Sequence, residues 1–209
     1  IFIDKVNEGP ANPVPTLGPI ESTNPCGEQP LYPFDACNLG SVFLQYFVKE
    51  VNGKNEVDWD GLKSVCGVAV RFLDDVIEVN PYPLMQIWDT VRSIRRIGLG
   101  VGGYANMLYL LGIPYNSQEA LDLAREIMRV MTEESRKVSE ELAVERGAFP
   151  LWNESIYKDG KPIRNAAITT IAPTGTIGIL ANGSGGIEPV FALAYKHMVK
   201  DESLNREMY

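Results

Sequence analysis

A thiol set between an amide and a carboxylate is the most chemically suggestive arrangement in this chain. In Asn24-Pro25-Cys26-Gly27-Glu28 the three polar side chains stand two residues apart, so on extended backbone they point to one side and a single pocket can see all of them. Pro25 and Gly27 hold and thin the backbone around the thiol, which suits a loop tip pushed close to a ligand. The plainer reading is a Pro/Gly turn carrying an incidental cysteine. A second thiol lies in Ala36-Cys37-Asn38-Leu39-Gly40-Ser41. A separate run, Pro173-Thr174-Gly175-Thr176-Ile177, joins a strand-like segment to a helix start through small hydroxyl and glycine residues. Such a junction presents unpaired backbone N–H groups with the positive end of a helix dipole behind them, and anions bind there. The alternative is an ordinary capped turn.

Other constellations carry less. Gly98-Leu99-Gly100-Val101-Gly102-Gly103 has the look of a dinucleotide fingerprint, but it follows a helical pattern and lacks the last spacing, so a helix-packing or helix-kink element is expected. The single His197 builds neither a zinc site nor a Ser-His-Asp triad, and the cysteines lack Cys-x-x-Cys spacing, so no metal site is expected. Arg92, Arg95 and Arg96 are expected to form a solvated helix face. Cys66 falls on an apolar helical stripe and is expected in the core.

The 209 residues carry 19 basic and 27 acidic side chains, a net charge of -8, with 45% apolar and 22% charged residues. That is the composition of a globular protein with a real core. The acidic balance argues against a broad duplex-DNA footprint and leaves single nucleotides open. No apolar run reaches the roughly 20 residues of a membrane span, and no signal peptide opens the chain. A cytoplasmic location is therefore expected, with no nucleic-acid or membrane partner. Position 1 is not Met, and Tyr209 follows a charged stretch without Gly or Pro punctuation, so a piece of something longer is expected.

The elements that must position these residues follow from pattern. Seven prolines between Pro10 and Pro33 predict a loop-rich entry. Residues 41–49 alternate as a strand buried on both faces, with a turn at Asn52-Gly53. Asp60 caps a helix with the stripe Leu62, Cys66, Ala69, Leu73, Val76 and Ile77, stopped by Pro81 and Pro83. A second helix covers residues 84–97, and a third residues 104–111. A longer one is capped by Ser117, carries the stripe Leu121, Ala124, Met128, Met131, Ser135, Val138 and Leu142, and ends at Gly147. A turn falls at Asp159-Gly160. Residues 166–172 have strand character, Gly183-Ser184-Gly185-Gly186 makes a turn, and a further strand is expected at 190–195. Strands separated by helices indicate an α/β plan. No linker divides residues 1–209, which are expected to form one unit.

The stretch Ser22-Thr23-Asn24-Pro25-Cys26-Gly27-Glu28-Gln29-Pro30, with Ala36-Cys37-Asn38-Leu39-Gly40-Ser41, closely resembles the ribonucleotide reductase large subunit, most of all the adenosylcobalamin-dependent class II enzymes. The similarity continues in Phe72-Leu73-Asp74-Asp75-Val76-Ile77, in Arg96-Ile97-Gly98-Leu99-Gly100-Val101, in Ala172-Pro173-Thr174-Gly175-Thr176-Ile177 and in Gly186-Ile187-Glu188-Pro189, so that it spans nearly the whole chain. The resemblance implies an α/β barrel of ten strands with a finger loop through its centre. Residues 1–209 would be a helix-rich central part, with the finger loop near 22–40 and the phosphate loop near 173–177. By the same resemblance Cys26 becomes the thiyl radical that removes the 3′ hydrogen of the ribose. Glu28 takes the 3′-hydroxyl proton and Asn24 holds the sugar. Cys37 is one of the two cysteines that supply electrons and end as a disulfide, with its partner upstream of this chain. Thr174, Gly175, Thr176 and Ile177 hold the substrate phosphates. The implied activity is reduction of ribonucleotides, with diphosphates favoured, to the 2′-deoxy form. It would use adenosylcobalamin and an external dithiol such as thioredoxin, and a homodimer is allowed for the full-length protein. The isolated chain is expected to be inactive. The competing readings are a class I subunit served by a separate metal-bearing radical subunit, and a non-catalytic nucleotide-binding module on the same scaffold.

Overall fold

In the computed structural model, residues 1–192, 194, 199–201 and 206–208 are described. The proline-rich entry holds only a short helix, α1 (Ile3–Glu8), a single 3-10 turn (Pro15–Leu17), and the paired strands β1 (Ser22–Thr23) and β2 (Pro30–Leu31). Then come β3 (Asn38–Phe43), a hairpin of β4 (Val48–Val51) and β5 (Lys54–Val57), and the helices α2 (Trp59–Val79) and α3 (Met85–Ile94). The strand β6 (Ile97–Gly102) follows, then α4 (Tyr104–Leu111), α5 (Gln118–Arg146) and α6 (Gly175–Leu180). A last hairpin pairs β7 (Val199–Asp201) with β8 (Arg206–Met208).

The organising unit is a parallel strand pair with helical crossovers. β3 and β6 run parallel from Asn38↔Ile97 to Phe43↔Gly102. On the other side of β6 the backbone of residues 167–170 runs alongside: the Ile97 and Leu99 amides donate to the Ala167 and Ile168 carbonyls, and the Thr170 amide donates to Leu99. Only a single parallel bridge, Leu99↔Thr169, forms there, so the strand expected at 166–172 is an extended segment held at a few points. Ile97, Leu99 and Val101 face the main core with Leu62, Cys66, Val70 and Leu73 of α2, Met107 and Leu108 of α4, and Met131, Val138 and Leu142 of α5. A smaller core gathers Val14, Ile20, Tyr32, Ile94, Phe149, Trp152 and Ile163. The α/β plan read from the sequence is therefore present.

Several expectations need correction. The strand predicted at 41–49 begins earlier and ends at Phe43, because residues Leu44–Phe47 wind into a 3-10 turn that buries Leu44 and turns Tyr46 outward. The Asn52-Gly53 turn does close the hairpin, with both residues at positive φ. Asp58, not Asp60, occupies the cap position of α2, and Asp60 sits in the first turn. The glycine cluster is neither a helix-packing element nor a kink. Arg95 adopts the left-handed conformation at φ 51° and ends α3, after which Gly98, Gly100 and Gly102 alternate with apolar residues as one face of β6. Finally, Leu121 of α5 is exposed and Ala120 and Ile127 are buried in its place; from Met131 to Leu142 the expected stripe holds. No strand occurs at residues 190–192, and the rest of the strand expected at 190–195 lies largely outside the described residues, as does His197.

The glycine face of β6 is a close-approach surface. A Cβ on Gly98 would lie 2.5 Å from Leu39 Cδ2 and 2.9 Å from both Gln29 Nε2 and Thr170 Cγ2. One on Gly100 would run into the Thr170 carbonyl oxygen, which is backbone and cannot rotate away. Gly100→Ala is therefore expected to lower stability by about 1–3 kcal/mol, the range for overpacking a tight interior, read as a fall in the urea midpoint of the full-length protein. An unchanged midpoint would show that residues 167–170 can move away from β6.

Candidate active site

The turn that carries Cys26 closes on itself. Residues 24–27 form a β-turn in which the Gly27 amide donates to the Asn24 carbonyl at 3.0 Å. Asn at the first position, Pro at the second and Gly at the fourth are the residues such turns favour. The Asn24 amide donates to the Gln29 carbonyl at 3.1 Å, and the Gln29 amide donates to Asn24 Oδ1 at 3.0 Å. The extended loop expected here is thus a compact turn, because Asn24 spends its side-chain oxygen on its own backbone. Asn24 Nδ2 donates to no group among the described residues. Cys26 sits at the tip, exposed, and Glu28 is drawn inward, with its Oε2 buried and without a hydrogen-bond partner.

Below the tip, Cys37 opens the approach to β3. It is half-buried, and its Sγ donates to the Asn38 carbonyl at 3.3 Å. Burial pushes the Cys37 thiol up to about 12; Arg96 opposes this, while Asp35 and Glu28 add to it. Arg96 Nε donates to Asp35 Oδ2 at 2.9 Å and its guanidinium lies 5.7 Å from the centre of the Tyr32 ring. Burial raises the Asp35 carboxyl, and the Arg96 charge and hydrogen bond draw it back down. Cys66 is in the core as expected, and burial raises its thiol to about 11.

The expectation of a solvated arginine face fails here. Arg95 and Arg96 are each only 2% exposed. The left-handed turn at Arg95 sends the two side chains to different partners, Arg95 to Asp74 and Glu78, Arg96 to Asp35. Arg92 alone stays near the surface, paired with Glu78 and stacked on Trp88 at 4.9 Å.

At the other end of the site, Thr174 takes the left-handed conformation at φ 55° and caps α6. It is buried, and its Oγ1 accepts from the Gly186 amide at 2.7 Å. The amides of Gly175, Thr176 and Ile177 have no acceptor among the described residues, while their side chains are exposed or absent. Residues 181–187 are held from behind. Asn106 Oδ1 accepts from the Ser184 amide at 2.6 Å, Tyr46 donates to Ala181 at 2.8 Å, and Tyr115 donates to Ile187 at 2.6 Å. The Cys26 turn is tied to the segment leading toward Thr174 through Thr170, whose Oγ1 donates to the Glu28 carbonyl at 2.7 Å. No hydrogen bond joins Cys26 directly to Cys37 or to residues 174–177 among the described residues.

The model of the ribonucleotide reductase barrel domain matches residues 1–163 and 160–208. The chain belongs to this family. It is 51% identical, over 98% of its length, to a vitamin B12-dependent ribonucleoside-diphosphate reductase of Thermoplasma acidophilum, of which it covers 26%. It is 49% identical, over 95% of its length, to the protein of that name from Mycobacterium tuberculosis strain CDC 1551, covering 28% of it. A ribonucleoside-diphosphate reductase subunit alpha of Chlamydia pneumoniae is 29% identical over 82% of the chain, which covers 19% of that protein. The chain thus spans about a quarter of the first two relatives.

Within this reductase barrel domain, several contributors escape the sequence patterns. Thr170, Gln29 and the glycine face of β6 fix the seat of the turn, yet Thr170 resembles any strand threonine. The Asp35–Arg96 pair spans 61 positions, and no local spacing marks it. Asn106 sits on a helix without any pattern that points to residue 184. The alternation of glycine and apolar residues in 97–102 was the one available signal, since a period of two belongs to a strand.

Proposed function

We propose that the full-length protein containing this chain reduces ribonucleotides, in the diphosphate form, to 2′-deoxyribonucleotides by a thiyl-radical route. The observation that carries this reading is the self-closed turn with Cys26 exposed at its tip and a buried, unpartnered Glu28 oxygen beneath it, in a chain of the reductase family. Cys26 carries the unpaired electron on Sγ and takes the 3′ hydrogen of the ribose. Glu28 Oε2 takes up the 3′-hydroxyl proton, which eases departure of the 2′-hydroxyl as water. Asn24 offers its Nδ2 to a sugar hydroxyl while its oxygen stays committed to the turn. Cys37 then supplies reducing electrons together with an upstream cysteine, and a thioredoxin-like dithiol restores them. The open amides of Gly175, Thr176 and Ile177 and the hydroxyls of Thr174 and Thr176 take the phosphates, with residues 181–187 as a rigid backing. These segments belong to a ten-stranded barrel completed by the remainder of the full-length protein.

What adenosylcobalamin supplies when bound is the radical that Cys26 then carries. The described residues form no seat for it. A cavity of about 400 Å³ between β3 and α2 is lined chiefly by apolar side chains such as Val65, Phe72 and Leu73, and among the described residues no three His, Cys, Asp or Glu gather to hold a metal. We assign its binding mostly to parts of the full-length protein outside these residues. No helix among the described residues is long and apolar enough to cross a membrane, and we place the protein in the cytoplasm.

The deciding experiment gives the purified full-length protein adenosylcobalamin, dithiothreitol and a ribonucleoside diphosphate, with no second subunit. Deoxyribonucleotide formation is expected. Turnover only on addition of a separate metal-bearing subunit would assign the protein to class I instead.

A further inference from the structure

One buried charged group shares a cavity with Cys37 and is not fully hydrogen-bonded. Arg96 is among the largest completely buried side chains, and its Nη2 has no hydrogen-bond partner. It lines, with Cys37, a cavity of about 100 Å³ whose other walls include Asn38, Ile77, Asn80, Tyr82 and Val91. A buried guanidinium N–H without an acceptor is costly, and a redox or catalytic role is one physical reason to keep such a group. The charged groups that face Cys37 are Arg96, Asp35 and Glu28, and only Arg96 is positive. Asp35 and the Tyr32 ring fix the guanidinium in place.

Resting on the reading of Cys37 given above, we propose that Arg96 is the positioning residue that holds Cys37 as a thiolate leaving group when the oxidised protein is reduced by an external dithiol. The attacking thiolate bonds to the sulfur of the upstream partner cysteine. The S–S bond breaks, its electron pair leaves on Cys37 Sγ beside the guanidinium, and Cys37 then takes a proton. The second thiol of the reductant attacks the mixed disulfide, so the dithiol ends oxidised and both protein cysteines reduced. Burial disfavours the Cys37 thiolate and the Arg96 charge opposes that effect, so removing the charge makes Cys37 a poorer leaving group.

The test measures dithiothreitol reduction of the oxidised full-length protein, with the Cys37 thiol counted by alkylation and peptide mass. Arg96→Met alone would leave Asp35 buried without its partner, so the comparison is made in an Asp35→Asn background. D35N is expected to be reduced faster than the parent, because an opposing carboxylate is gone, and D35N/R96M about tenfold slower than D35N. D35N/R96K should recover part of the loss. A general loss of packing would move all three variants in one direction. Rates for D35N and D35N/R96M within twofold of each other would overturn the proposal, as would a lysine no better than methionine. Cys37→Ser separates the two readings. If steady-state turnover with dithiothreitol survives it, the role of Cys37 falls and this proposal with it. If turnover stops while the two reduction rates coincide, only the role of Arg96 falls.

Discussion

Cys26→Ser in the full-length protein is expected to abolish deoxyribonucleotide formation, a loss of at least about 10⁴-fold, comparable to removing an essential nucleophile, with nucleotide binding unchanged within about twofold. The O–H bond of serine is stronger than the S–H bond of cysteine, so the hydroxyl does not give up its hydrogen to the same initiator. The turn itself should be untouched, because its three closing bonds involve Asn24, Gly27 and Gln29 and none uses the thiol. Product formation by chromatography and binding by equilibrium dialysis check the two halves separately. Retained turnover would reject the radical role of Cys26, and would leave the class of chemistry open. Loss of binding as well would mean that the exposed thiol supports the shape of the pocket.

The largest structural effect is expected at Asp74. Its carboxylate is fully buried and accepts from Arg95 Nε at 2.9 Å, Asn165 Nδ2 at 3.0 Å, and Arg146 and Arg164 at 3.3 Å each. This one residue ties α2 to the end of α3, the end of α5 and the segment leading to residues 166–170. Asp74→Ala leaves Arg95 buried with its charge only partly met by Glu78, and removing one partner of a buried pair costs about 3–5 kcal/mol. A loss of that size should appear as a clear fall in the urea midpoint. Asp74→Asn, which keeps the shape and the acceptor oxygen, should lose less. A stability loss under about 1 kcal/mol in the alanine variant would show that water enters and solvates the arginines.

What the sequence conveyed and what it withheld follow one physical division. Helix ends, stripes and turns are local, so Ser117 at the cap of α5, the Met131 to Leu142 stripe and the Asn52-Gly53 hairpin were legible from spacing alone. The candidate thiols were legible for the same reason, since Cys26 and its neighbours lie within five positions of one another. Burial of charge is not local. Arg95 and Arg96 have the look of a solvated face because their partners, Asp74 and Asp35, are 21 and 61 positions away. The strand at 97–102 was hidden by the helix before it: Arg95 enters the left-handed region without a glycine to announce the stop. The apposition of Glu28 and Thr170 spans 142 positions and belongs to the fold alone.

The self-closure of the turn between Asn24 and Gln29 has an energetic consequence for any sugar that meets it. Fixing backbone costs about 1–2 kcal/mol per residue in lost entropy, and here that cost falls on folding. A ligand arriving at the tip finds a rigid anvil already in shape, so none of its affinity is consumed in ordering the residues that surround the sulfur.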